Sequence, residues 1–147
     1  MAQGVIDANI GLALVVNLPY SQAVEQKLTA WREQDNELTV PALWWYEVVS
    51  ALRKAVQARL LTSRDALAAL DDLTTLGIVV HAARMETHRS ALAWAERLRQ
   101  VAAYDSQYLA LAEKLGCDFW TADKRLAQNA KQLGLRWVQW IGSGDKD

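Results

Sequence analysis

The chain has 147 residues and a formal net charge of −1, from 16 Lys and Arg against 17 Asp and Glu. One domain accommodates that length, and a chain of this size buries about 70% of its unfolded surface, so it folds without covalent staples. The near-zero charge argues against a nonspecific duplex binder, which shows a basic excess, and the single Cys117 excludes an internal disulfide.

The opening Met1-Ala2-Gln3-Gly4-Val5-Ile6-Asp7 has no basic lead, and an acid interrupts its apolar run, so no signal peptide is expected. No run approaches the ~20 apolar residues that span a bilayer. The expected location is the cytoplasm, with no membrane partner. Val5-Ile6 and their neighbours predict a first strand ending at Asp7. A helix follows from about residue 21 to 34, with Val24, Leu28 and Trp31 on one face. Leu38-Thr39-Val40 is a second strand, closed by Pro41, which suits the first turn of a helix over about 42–59. Thr62-Ser63 caps the next helix, which Gly77 terminates; Leu67, Leu70 and Leu73 are expected to face the core, with Leu76 closing the stripe.

Ile78-Val79-Val80 predicts a third strand, and a helix over about 86–99 comes after it. Another helix runs from about Asp105 to Leu115 and stops at Gly116. Phe119-Trp120-Thr121 is a fourth strand. Asp123 opens a helix through Gln132, stopped by Gly134, and Trp137-Val138 is a fifth strand. Strands separated by helices require parallel pairing. The expected fold is an α/β, three-layer α/β/α sandwich with a parallel sheet of about five strands. Residues 1–141 form one domain and 142–147 a flexible tail.

Ligand sites in open parallel sheets lie beyond the carboxyl ends of the strands. Asp7 ends the first strand, and Asp123 lies just past the fourth. Glu47 lies about one and a half turns into the helix after the second strand. The helix that Asp105 opens must run back along the sheet, which puts its first turn at the same edge. Carboxylates ~4 Å apart repel by several kcal/mol at an effective dielectric near ~20, so such a group requires a cation or protonation. Oxygen donors without His or Cys suit Mg²⁺ or Mn²⁺, and one or two such ions activate water against a phosphodiester.

Each acid alone also has a structural explanation. Asp105 and Asp123 read equally as helix caps. Glu47 reads as part of a solvated face that carries Arg53 and Lys54. Asp7 resists such an explanation, because it ends a buried strand and Ala8-Asn9 follows it.

Four segments together resemble a known family. Val5-Ile6-Asp7-Ala8-Asn9 resembles the opening strand of PIN domains, and Pro41 to Val48 resembles the segment that places their second acid. Tyr104 to Ala112 is similar to their third-acid helix, and Thr121-Ala122-Asp123-Lys124-Arg125-Leu126 to the T-x-D-x-x-L signature of the fourth. The ordered set spans most of the chain, and its single-domain form resembles the VapC toxins of type II toxin–antitoxin modules. The resemblance implies an endoribonuclease that uses Mg²⁺ or Mn²⁺, cuts RNA, forms homodimers and is silenced by a cognate antitoxin. It implies Asp7, Glu47, Asp105 and Asp123 as the acid quartet, with Thr121 beside it. Asn9 stands where many members carry Ser or Thr, and its amide still hydrogen-bonds. A housekeeping RNA-processing nuclease and a catalytically silent PIN interaction module are the alternatives.

Lys124 and Arg125 flank an acid of the set and are the leading candidates for phosphate contacts. Arg53, Lys54, Arg84, Arg89, Arg97 and Arg99 add positive charge elsewhere, against a background in which charged runs mean solvated faces. Trp44 and Trp45 are expected in the core or at a contact. His81 and His88 have no partner at metal-ligand spacing, and Cys117 reads as a plain buried thiol. Neither G-x-G-x-x-G nor G-x-x-x-x-G-K-[ST] occurs.

Overall fold

In the computed structural model, which describes residues 3–144, five parallel strands form one sheet in the order β3-β2-β1-β4-β5. The strands are β1 (Gln3–Ile6), β2 (Glu37–Pro41), β3 (Val79–His81), β4 (Asp118–Thr121) and β5 (Val138–Trp140). The helices are α1 (Ala8–Ala13), α2 (Ser21–Glu33), α3 (Leu43–Gln57), α4 (Ser63–Thr74), α5 (Met85–Arg97), α6 (Asp105–Leu115) and α7 (Lys124–Gln132). This is the expected three-layer α/β/α arrangement.

The central strand β1 is closed on both faces, and Val5 and Ile6 have no exposed surface. Continuous apolar runs of this kind suit a parallel strand covered by helices on each side. In β2, Leu38, Thr39 and Val40 are all buried. The edge strand β3 differs, since Val79 and Val80 remain partly in solvent. Helix α6 lies across β1, β2 and β4, and α5 packs along it. Helix α1 packs against α3, and α7 against β4 and β5.

The helix ends follow local chemistry. Thr62 and Asp65 form a reciprocal capping box at α4. Gly116 closes α6 in the left-handed region at φ 65°, where a side chain is strained. Two glycines serve different ends: Gly11 has ordinary helical geometry, but a Cβ there meets Trp44 Cζ2 at 2.3 Å. The absence of a side chain lets α1 seat against the fully buried Trp44 ring.

Two expectations require correction. The α1 helix is absent from the sequence reading: its six residues Ala8–Ala13 are nearly all buried and show no one-sided stripe. Leu67 is 67% exposed on the outer side of α4, whereas Leu73 is fully buried and carries the core contact with Ala69. The tail expected from residue 142 begins as a 3₁₀ turn over Ile141–Gly144; residues 145–147 of that tail lie outside the described residues. No helix among the described residues is long and apolar enough to cross a membrane.

Candidate active site

From β1 the chain winds through β2 to β3 on one side, and from β4 it continues to β5 on the other. The crevice beyond the carboxyl ends of β1 and β4 is therefore the point where the winding reverses. Open α/β sheets bind ligands at that point. The Asp7 amide donates to Trp120 O at 3.2 Å, which fastens the two strand ends together.

Asp7 occupies this point and is held on both oxygens. Its Oδ1 accepts the Ile10 amide at 3.0 Å as the N-cap of α1. Its Oδ2 accepts the Thr121 hydroxyl at 2.6 Å and the Ala122 amide at 3.1 Å. Thr121 is fully buried, and its Oγ1 also accepts the Asp123 amide at 3.0 Å. Asp7, expected to resist a capping explanation, is thus itself a cap, and the alternative explanation of Asp105 as a cap does not apply. Asp7 and Asp123 both cap helices, Asp123 through Leu126 at 3.1 Å. Asp105 is the first residue of α6 and makes no side-chain cap bond.

Glu47 lies one turn into α3, and its Oε1 accepts the Tyr108 hydroxyl. Tyr108 is one turn beyond Asp105 on α6 and stacks on Phe119 at a centroid separation of 5.5 Å. Asp7, Glu47, Asp105 and Asp123 line one cleft of about 290 Å³, together with Asn9 and Tyr108. All four acids expected at the sheet's carboxyl edge meet there. Among the described residues, no group of three or more His, Cys, Asp or Glu forms a ready-made cation cage. The quartet therefore shares a cleft without closing on one coordination centre.

The electrostatics follow from crowding like charges out of water. Burial raises the Asp7 carboxyl to about 6; its hydrogen bonds from Thr121, Ile10 and Ala122 hold it down, and Asp105 adds to the rise. Glu47 is raised by burial and by Asp105, against the opposing Tyr108 hydrogen bond. Asp105 is raised by burial and by Asp123. Burial and then Asp7 push the nearby Tyr20 hydroxyl up to about 12. Tyr108 is held far above its ordinary value by burial and by Glu47, so it remains a hydrogen-bond donor.

Ser50 and Lys54 also line the cleft, and sequence reasoning did not place Ser50, Lys54 or Tyr108 in it. The signal was helical spacing: Ser50 and Lys54 follow Glu47 by three and seven residues, and Tyr108 follows Asp105 by three. Lys124 lies outside the cleft. Its Nζ sits over the Trp140 ring at 5.0 Å, and the neighbouring Arg125 is exposed. Cys117 is half-buried, and burial followed by Asp118 pushes its thiol up.

The PIN domain pattern matches residues 4–132 of this chain. Ribonuclease VapC12 of Mycobacterium tuberculosis is 30% identical over 126 residues, covering 85% of this chain and 90% of that protein. Ribonuclease VapC3 of Pyrobaculum aerophilum is 33% identical over 131 residues, covering 88% of this chain and 95% of that one. In fold, the chain is similar to a protein in a toxin–antitoxin complex from Klebsiella pneumoniae. The TM-score is 0.66 at 16% identity, with 92% of this chain and 94% of the other covered.

Proposed function

The chain belongs to the PIN domain family, and from that premise we propose that it is a divalent-metal-dependent endoribonuclease, the toxin of a type II toxin–antitoxin pair. The observation that carries the chemistry is the convergence of Asp7, Glu47, Asp105 and Asp123 on one cleft at the sheet's reversal point. Relatives named as VapC ribonucleases align over nearly their whole length, which supports RNA as substrate and a cognate antitoxin as partner. A homodimer and a cytoplasmic location belong to the same reading.

The residues present fit a divalent cation. The donors are all carboxylate oxygens, which suit Mg²⁺ or Mn²⁺ better than softer metals. Three of them are raised by burial and mutual repulsion, and Lys54 is the one basic residue among the described lining of the cleft. Such a group of acids is relieved by positive charge. A bound divalent cation supplies an acidified water and offsets charge on the phosphodiester under attack.

The protein's own residues prepare that site. Thr121 and the Ala122 amide fix Asp7 in one rotamer, and Tyr108 fixes Glu47. Asp105 makes no hydrogen bond or ion pair among the described residues, so its carboxylate reorganises least on taking a ligand. Asp123 commits one oxygen to its cap. Lys54 offers a phosphate contact at the rim, while Lys124 and Arg125 contribute to a longer phosphate path outside the cleft. Asn9 adds an amide to the rim.

The test is cleavage of labelled RNA by the purified chain with Mg²⁺ or Mn²⁺. EDTA and Asp7→Asn are each expected to abolish it. RNA left intact by the wild-type protein under every metal condition rejects the assignment.

A further inference from the structure

Helices α3 and α6 separate the acid cleft from a second cleft of about 480 Å³. Adjacent residues at the starts of these helices, about 100° apart around the axis, line different clefts. Glu47 faces the acids and Tyr46 the second cleft; Asp105 and Tyr108 face the acids, Tyr104 and Gln107 the second cleft. Sequence neighbours Tyr46 and Glu47, Tyr104 and Asp105, and Gln107 and Tyr108 thus line different clefts, so the two lie side by side along the first turns of α3 and α6.

The second cleft has an opposite character. None of its lining residues is acidic; Arg84 and Lys114 supply its positive charges, Lys114 being paired with Glu86 at 2.9 Å, and His81, Thr87, His88 and Gln107 add neutral polar groups. Tyr46 is 75% exposed and Tyr104 62% exposed, so two aromatic faces stand open beside the carboxylates. Unpaired bases stack on such faces, and positive groups beside them track phosphates.

We propose that this cleft is a base-binding subsite: it takes an unpaired base of the RNA strand whose phosphate lies among the acids, stacked on Tyr104 and Tyr46 with Arg84 toward the adjoining phosphate. The subsite rests on the ribonuclease reading. A polyanion requires positive neighbours, and the acid cleft supplies only Lys54. The adjoining basic cleft completes the path and selects flexible RNA over rigid duplex.

The experiment compares wild type with Tyr46→Ala and Tyr104→Ala on short RNA oligonucleotides, intact or carrying one abasic ribose moved along the positions beside the cut. Both side chains are exposed, so the variants are expected to fold as wild type does, which circular dichroism checks. Each variant is expected to lower kcat/KM roughly tenfold through KM, and Tyr104→Phe to restore it. One abasic position costs wild type a similar factor and costs Tyr104→Ala nothing more. Anisotropy of labelled RNA in Ca²⁺ measures the same loss as a roughly tenfold rise in Kd, whether or not the protein cuts. Failure of wild type to cut any RNA rejects the ribonuclease reading; the anisotropy series still decides the subsite. Unchanged kcat/KM and Kd in both variants, or fully additive losses with the abasic oligonucleotide, overturns it. A shift from dimer to monomer on sedimentation, with RNA affinity intact, assigns the face to a second copy instead. Loss of binding to a peptide from a co-expressed antitoxin, again with RNA affinity intact, assigns it to that protein.

Discussion

Thr121 Oγ1 donates to Asp7 Oδ2 at 2.6 Å across 114 residues of sequence, and the same oxygen accepts the Asp123 amide at 3.0 Å. One buried hydroxyl therefore fixes two of the four acids. Outer groups of this kind are worth 10- to 100-fold in metal affinity or activity. Thr121→Val is expected to lower kcat/KM by about that factor, while Thr121→Ser, which keeps the hydroxyl, retains most activity. Equal activity in the Val variant removes Thr121 from the machinery.

The raised Asp7 carboxyl has a stability consequence. Its folded value of about 6 exceeds the ordinary 3.8, so the folded state holds this proton more tightly than the unfolded chain. Stability linked to the group is complete below pH ~4 and declines as pH rises through about 6. Two units correspond to about 3 kcal/mol as an upper limit. Asp7→Asn keeps the Ile10 cap through its oxygen and removes the titrating group, while its NH2 cannot accept the Thr121 and Ala122 bonds. In EDTA the Tm of wild type is expected to rise relative to that of Asp7→Asn as pH falls from 7.5 to 5, and the variant cuts no RNA. A Tm difference that does not change with pH contradicts the assigned cost of the charge. Adding Mn²⁺ is expected to raise the Tm of wild type and leave Asp7→Asn nearly unmoved.

Activity follows the opposite sign. The cation needs ionised ligands, so kcat/KM is expected to fall as pH drops through about 6, the value of Asp7. Metal and protons compete for the same oxygens. A tenfold increase in Mg²⁺ is therefore expected to move the acid limb to lower pH, and a limb that ignores metal concentration assigns it to another group.

Much of this site was legible in the sequence because strand ends and helix starts are written locally. The run 105–115 is a helix in both readings, with Gly116 as its stop, and the parallel order of strands follows from their spacing. The six-residue α1 was hidden because its residues are buried all round and carry no amphipathic period. That omission made Asp7 look free of any capping role. Leu67 sits at the expected spacing yet faces water, because α4 turns only part of its apolar stripe toward α3. Helical spacing from Asp105 places Tyr108 at the cleft, but its bond to Glu47 depends on contact between α3 and α6, which no local pattern records.

Tyr108 tests that long-range contact. Its hydroxyl lowers the Glu47 carboxyl against the burial that raises it. Tyr108→Phe keeps the ring on Phe119 and removes the donor. The Glu47 carboxyl is expected to titrate at higher pH, followed by NMR of the carboxyl carbon, with a several-fold loss of kcat/KM at pH 7 and little change in Tm. An unmoved Glu47 titration with full activity disconnects the hydroxyl from Glu47's function.

Gly11 tests the seat of α1. Replacing Gly by Ala within a helix ordinarily gains about 1 kcal/mol. Here the new Cβ meets the buried Trp44 ring at 2.3 Å. Gly11→Ala is expected to lose about 1–3 kcal/mol through overpacking, measured by urea denaturation, and a gain shows that the ring yields.

The pairing of β1 with β4 also sets a timetable. Asp7 is made more than a hundred residues before the hydroxyl that orients it and the fourth acid, which belong to residues 121 and 123. During synthesis the incomplete chain carries three of the acids without the strand that brings them into order. A polypeptide being translated on an RNA template thus becomes competent to cut RNA only after residues 121 and 123 have been made and β4 has paired with β1.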